Sequence, residues 1–274
     1  MEKFIIFSDL DGTLLDHNTY SYGAAKPALE LVALNEIPLI LTSSKSLAEI
    51  EEIQRELGIK HPFIVENGGA ICFPRGHFEL QGDLTVIGNF EIKSLSPAYD
   101  DILQVLAEIR EKTNFQFKGF NDMSLQDITT LTELPPAKAE KAKRRLCSEP
   151  LVWEDTTENF QEFTEHLRKK GLKLLKGGRF YHLMGNTDKG KAVLHLLDLF
   201  KNKYPQSQFE TIGIGDSPND IEMLKEVNIP VLVQRADGTY IDVSFEKKVI
   251  YADGTGPIGW NKAIMEILTK RGDL

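Results

Sequence analysis

Residues 4–16 read FIIFSDLDGTLLD, an apolar, β-prone run that stops on two carboxylates, Asp9 and Asp11, with Gly12 next. A short apolar run without polar alternation suits a strand buried on both faces, as in parallel sheets. One aspartate at a strand end is an ordinary cap or turn residue. Two acids delivered into the same short loop are another matter, because close carboxylates do not both stay ionised cheaply unless a cation lies between them. Gly12 permits a sharp turn, and the loop's N–H groups can then gather round an anion.

The pattern recurs near the other end. Residues 212–224, IGIGDSPNDIEML, again run from strand into a loop with two acids, Asp216 and Asp220, beside Gly215 and Asn219. In a doubly wound sheet this strand can lie next to the first, bringing three or four carboxylates to one edge, where ligands of such sheets bind. An oxygen-only anionic set suits Mg²⁺. Between these loops, residues 38–46 (PLILTSSKS) end a strand on Thr42, Ser43 and Ser44 with Lys45, and residues 186–197 (NTDKGKAVLHLL) open a helix with Lys189 in its first turn. Taken singly, the hydroxyls read as an N-cap and the lysine as a surface residue. A lysine at a helix N-terminus has the wrong sign for the helix dipole, however, and hydroxyl plus ammonium is what a tetrahedral dianion requires.

The first 82 residues and those after 187 alternate short strand runs with amphipathic helices, the order of a parallel α/β sheet. The middle is α+β. Residues 96–113 read as a helix with Ser96 as cap and Pro97 in its first turn, FQFKGF and LVWED as half-exposed strands, and residues 157–171 as a helix closed by Gly171. Residues 172–185 read as a hairpin turning at Gly177–Gly178, and the basic run KAEKAKRR at 138–145 as a solvated helix face. The expected architecture is a doubly wound, Rossmann-like α/β core formed by 1–83 and 187–274, interrupted by an α+β insertion over 84–186.

Composition sets bounds on function. Of the 274 residues 41% are hydrophobic and 27% charged, as in an ordinary globular protein. No run approaches the ~20 apolar residues of a membrane span, and the start lacks a signal-peptide pattern, so a cytoplasmic location is expected. Cys72 and Cys147 have no metal-site spacing and read as reduced packing residues. The net charge of −9 argues against nucleic-acid binding, and the negative excess lies wholly outside residues 84–186, which hold 15 basic and 15 acidic residues.

In this order, DLDGT, LTSSK, DKGKA and GDSPND resemble the four motifs of the haloacid dehalogenase superfamily of aspartate-nucleophile phosphatases, over essentially the whole chain. The position of the insertion is that of members with the larger α/β cap. VENGGAI, GGRFYHLMG and DGTGPIGWNKAI are further similar to the mannosyl-3-phosphoglycerate phosphatase branch, in which SSK stands where related sugar phosphatases have TGR. The resemblance implies Asp9 as nucleophile, Asp11 as general acid and base, and Ser43, Ser44 and Lys189 as phosphate-binding residues. It also implies Mg²⁺ on Asp9, the Asp11 carbonyl and Asp216, with Asp220 either a ligand or an orienting group. The implied substrate is a small phosphorylated sugar-glycerate, with neither nucleic acid nor membrane as partner. Glu66, Asn67 and Asn219 are candidates to meet it, as are Arg179 and His182, of which strand alternation lets only one face the site. A broader sugar-phosphate phosphatase or phosphomutase, and a silent binding protein on the same scaffold, stay open.

Overall fold

The computed structural model describes residues 2–80, 82–177 and 179–270. Its centre is a five-stranded, all-parallel sheet built from β1 (Glu2–Ser8), β2 (Leu39–Leu41), β11 (Gln208–Gly215), β12 (Ile229–Gln234) and β13 (Ile250–Thr255), in the order β13-β12-β11-β1-β2. The alternation along β1 explains the layering. Phe4 and Ile6 join one core with Val32 of α1 (Lys26–Leu34) and Trp260 and Ile264 of α9 (Pro257–Lys270). Ile5 and Phe7 join the other, with Val193 and Leu196 of α7 (Lys189–Lys203) and Met223 and Leu224 of α8 (Ile221–Glu226). Four consecutive apolar residues, Phe4 to Phe7, must be covered on both faces, and each buried side chain contributes roughly 1.5–3 kcal/mol. The doubly wound core follows.

After α2 (Leu47–Leu57), β3 (Phe63–Val65), β4 (Ala70–Pro74), β5 (Thr85–Ile87) and β6 (Phe90–Ser94) form an antiparallel sheet in the order β3-β4-β6-β5. A boundary between residues 83 and 84 therefore cuts through a sheet, because β6 pairs along β4 with Ile71 opposite Lys93. A second antiparallel sheet, β7-β8-β10-β9, contains β7 (Phe117–Gly119), β8 (Ser148–Trp153), β9 (Leu172–Lys176) and β10 (Tyr181–Gly185). Its own core, with Leu151, Leu183 and Phe163, is closed by α3 (Tyr99–Lys112) and α6 (Thr157–Lys169). Between β7 and β8 lie α4 (Leu125–Thr132) and α5 (Pro136–Lys143).

Several local expectations hold. Gly171 follows α6 in the left-handed conformation (φ 74°), and β9 and β10 form the hairpin, although Gly178 of its turn lies outside the described residues. Two change. Ser96 is not the cap of α3, which begins after Ala98; its hydroxyl instead donates to the Cys147 carbonyl at 2.8 Å and accepts from the Gly185 N–H. The run 138–145 is not simply a solvated face, for Lys141 pairs with Glu52 and Arg145 is buried.

Candidate active site

Parallel pairing of β1 with β11 sets Ser8 opposite Ile214, and the Asp9 N–H donates to the Ile214 carbonyl at 2.9 Å. Both acidic loops therefore leave the same sheet edge. The end of β1 is fixed from behind, where Trp260 donates to Ser8 and the Ser8 hydroxyl donates to the Asp9 carbonyl. Gly12 (φ 78°) passes so near Asp216 that a Cβ there would lie 2.9 Å from its Oδ2, so a side chain would strain the left-handed backbone and displace the Asp216 carboxylate. Thr13 donates to Asp216 Oδ1 at 2.9 Å, and Arg235 donates to the Asp216 carbonyl.

Lys189 is completely buried, and its Nζ donates at 2.6 Å to both Asp9 Oδ1 and Asp220 Oδ1. Burial works against its charge, but the carboxylates of Asp220 and Asp9 outweigh that and raise its pKa. The helix-start lysine of unfavourable sign is thus the counter-charge of the acid cluster. Asp220 is used up locally, since its Oδ2 accepts from the N–H groups of Asp216 and Ser217 and from the Ser217 hydroxyl.

Asp9, Asp216 and Asp220 offer buried oxygens all within 4.8 Å of one another. Burial, together with the neighbouring carboxylates, drives the Asp9 pKa up against the pull of Lys189 and pushes that of Asp216 to about 7. One lysine does not balance three carboxylates. Asp9 Oδ2 and Asp216 Oδ2 accept no hydrogen bond from any described residue, so the donor set fits one hard divalent cation. Asp11 lies outside that cluster, with Oδ2 2.7 Å from Lys45 Nζ and Oδ1 buried without a partner. Lys45 also reaches Glu49 at 3.9 Å.

These loops form the floor of a cavity of about 760 Å³, lined by Asp9, Asp11, Ser44, Lys45 and Asp216 below and by Arg145, Arg179 and His182 of the insertion above. Ser44 is on the cavity wall. Ser43 is buried beneath it, its Oγ accepting the Lys45 N–H, and Lys189 stands behind Asp9. Asn219 lines the cavity, while its side-chain amide donates to Asn67 Oδ1.

Glu66 and Asn67 are not open to a substrate. Both are completely buried in left-handed backbone (φ 52° and 57°), and Gly68 after them packs so tightly on α7 that a Cβ would fall 2.1 Å from the Asp188 carbonyl. The Glu66 carboxylate accepts from the N–H groups of Leu146 and Cys147 and from the Ser148 hydroxyl, and it lies 3.6 Å from Arg145 Nε. It joins the β3–β4 turn to the chain entering β8. Arg179 and His182 both face the cavity, contrary to the alternation argument, because Arg179 precedes β10 and is not under its register. Arg179 is occupied at the end of α4, donating to the Leu131 and Thr132 carbonyls and pairing with Glu133. Sequence reasoning missed Arg145 as a cavity residue; its one signal was an arginine two residues before the buried Cys147 at the end of a basic run.

The parallel sheet thus carries, at one carboxyl edge, paired acidic loops and a buried lysine under a covering insertion. A model of the haloacid dehalogenase-like hydrolases matches residues 6–244, and the chain belongs to that family. A protein of Methanococcoides burtonii named glucosyl-3-phosphoglycerate/mannosyl-3-phosphoglycerate phosphatase is 43% identical over 99% of this chain and 100% of its own length. A Persephonella marina protein of the same name is 42% identical over 97% of both chains. A solved structure from Thermotoga maritima shares the fold with a TM-score of 0.66 at 18% identity, over 97% of both chains. The chain is a phosphatase. Among its described residues no helix is long and apolar enough to cross a membrane.

Proposed function

We propose that the protein removes the 3-phosphate of glucosyl- or mannosyl-3-phosphoglycerate, in the cytoplasm, giving the glycosylglycerate and inorganic phosphate. The observation that carries the substrate is the pair of relatives so named, similar over nearly the whole chain. Residues after Ser96 up to about 186 act as the cap, with β5 and β6 counted with the core because they pair with β4.

The carboxylate of Asp9 attacks phosphorus, the bond from phosphorus to the glycerate oxygen breaks, and Asp11 gives that oxygen its proton. Water then attacks the aspartyl-phosphate while Asp11 takes the proton back, restoring both side chains. Lys45 holds Asp11 in place from below at 2.7 Å. Lys189 offsets part of the charge on Asp9 and Asp220, Ser44 on the cavity wall offers its hydroxyl to the phosphoryl oxygens, and the buried Ser43, whose Oγ accepts the Lys45 N–H, keeps its own proton to donate to them. Asp9, the Asp11 carbonyl and Asp216 would hold Mg²⁺, which when bound offsets the charge of the transferring phosphoryl group. Asp220 orients Lys189 and the loop after β11, since both of its oxygens are already engaged.

The test is hydrolysis of both glycosyl-3-phosphoglycerates against a panel of hexose phosphates, with and without Mg²⁺. The expected result is kcat/KM at least about tenfold higher for the glycosyl-phosphoglycerates, about 1.4 kcal/mol of discrimination. Equal or better turnover of hexose phosphates overturns the reading in favour of a broad sugar phosphatase.

A further inference from the structure

We propose that Arg145, with His182 beside it, is the receptor for the carboxylate of the glycerate half of the substrate, and so determines specificity. This assignment rests on the substrate reading above.

The argument starts from which cations of the cavity wall are committed. Lys45 is held by Asp11 and Glu49, Arg179 caps the carbonyls that end α4, and Arg235 donates from Nε to the Asp216 carbonyl and sets its charge against the Asp216 carboxylate. Lys176, at the end of β9, is exposed, a hydrated and mobile point charge. Arg145 is paired too, with the Glu66 carboxylate 3.6 Å from Nε, but it differs in being rigid: its side chain is only 2% exposed, yet it lines the cavity. Nε and Nη2 are fixed by the Ser148 carbonyl, the Ser148 hydroxyl and the Ser44 carbonyl, at 3.4, 2.7 and 3.1 Å. Nη1 makes no hydrogen bond to any described residue. A guanidinium has five N–H donors in a rigid fork, so donors remain for a carboxylate.

The bond to the Ser44 carbonyl gives this placement its meaning. It ties the guanidinium to the loop that holds the phosphate, so the spacing between phosphate and second anion is set by the backbone and not by a flexible side chain. In a 3-phosphoglycerate the carboxylate is separated from the phosphate-bearing carbon by a single carbon, which requires two nearby anion receptors held in fixed register. His182, 8% exposed, lines the same cavity; its Nδ1 is buried without a partner, and Arg145 and Lys189 both lie within electrostatic reach of its ring. A neutral imidazole beside the guanidinium can donate to one carboxylate oxygen while the guanidinium serves the other.

The experiment compares two substrates that differ only in this group, glucosyl-3-phosphoglycerate and the glucosylglycerol 3-phosphate that lacks the carboxylate, in the parent and in Arg145→Lys. The lysine keeps a positive charge near Glu66 but loses the planar fork. The expected result is a ten- to hundredfold fall in kcat/KM for the carboxylate substrate, carried mainly by KM, with the other substrate within about threefold of the parent. An equal fall for both makes Arg145 a structural link only and overturns the assignment, as does no change for either. If Arg145→Lys does not fold, His182→Phe, which keeps a ring without nitrogen atoms, is expected to change the same ratio about three- to tenfold, and an unchanged ratio refutes the pair. A parent that shows no preference for glycosyl-phosphoglycerates refutes the substrate reading itself; a preference that Arg145→Lys leaves intact refutes only the receptor.

Discussion

Lys189 donates to Asp9 at 2.6 Å inside the protein, with the lysine wholly buried and the aspartate nearly so. Removing one partner of a buried ion pair leaves a charge with no compensation, typically at a cost of about 3–5 kcal/mol. Lys189→Met is therefore expected to lower the unfolding free energy by about that amount and to abolish turnover. Adding Asp220→Asn should recover part of the stability and none of the activity. Denaturant melts of the single and double variants check this; a Lys189→Met protein as stable as the parent would contradict the buried pairing.

Asp9→Asn changes charge more than shape. Burial and the neighbouring carboxylates already raise the pKa of Asp9, so a neutral amide is inexpensive there, and the variant should melt at or above the parent temperature without added metal. Turnover should drop by at least about a thousandfold, roughly 4 kcal/mol of barrier, because an amide does not form the acyl-phosphate. Turnover within tenfold of the parent would end the case for Asp9 as nucleophile.

Three buried carboxylates against one lysine lead to a metal test with two readouts. Chelation should abolish phosphate release and Mg²⁺ restore it, while Ca²⁺, which accepts more ligands at longer distances, should inhibit. Independently of turnover, saturating Mg²⁺ should raise the melting temperature of the parent, by about 2.7 kcal/mol of linkage at a hundredfold excess over Kd, and of Asp216→Asn much less. Undiminished activity after thorough chelation would contradict the cation site.

The core and its acid loops were legible because their signals are local: apolar runs that end on acids, at two places in the chain. The pairing of β1 with β11 follows from those signals and from the rule that ligands gather at the carboxyl edge of such a sheet, whereas of Lys189 only the unfavourable sign at a helix start was legible, not its burial behind Asp9. Glu66 and Arg145 were not legible, because their meaning depends on each other across the chain, and neither neighbourhood shows a period that marks burial. A carboxylate in a turn reads as solvent-facing until its donors are known. Ser96 was misread for a related reason: Ser-Pro before a helix is a good cap pattern, yet its hydroxyl was drawn to the Cys147 carbonyl.

Glu66 offers a test of how the insertion is attached. Glu66→Ala would strand the N–H groups of Leu146 and Cys147 and leave Arg145 without its carboxylate, so a loss of about 3–5 kcal/mol is expected. Glu66→Gln, which keeps an acceptor, should cost less. Amide hydrogen exchange at Leu146 and Cys147 should quicken in Glu66→Ala; unchanged protection there would refute this role.

His182 gives the acid dependence of stability a defined source. Burial, reinforced by the positive charges of Arg145 and Lys189, lowers its pKa to about 3, against the usual 6.5. The native protein therefore holds this imidazole neutral in a range where the unfolded chain protonates it. Between those two values the unfolded state binds more protons, so stability rises with pH; the contribution is present in full above about 6.5 and is lost as pH falls toward 3. While the difference approaches one proton the slope is about 1.4 kcal/mol per pH unit. Carboxylates titrate in the same acid range, so the informative quantity is the difference between the parent and His182→Phe, which has no proton to bind. Chemical melts from pH 7 to pH 4.5 should show the parent losing more stability than the variant, with most of the gap opening below pH 6.5. Parallel curves would mean that His182 titrates alike in the folded and unfolded chains, and that burial beside Arg145 and Lys189 does not hold its ring neutral in acid.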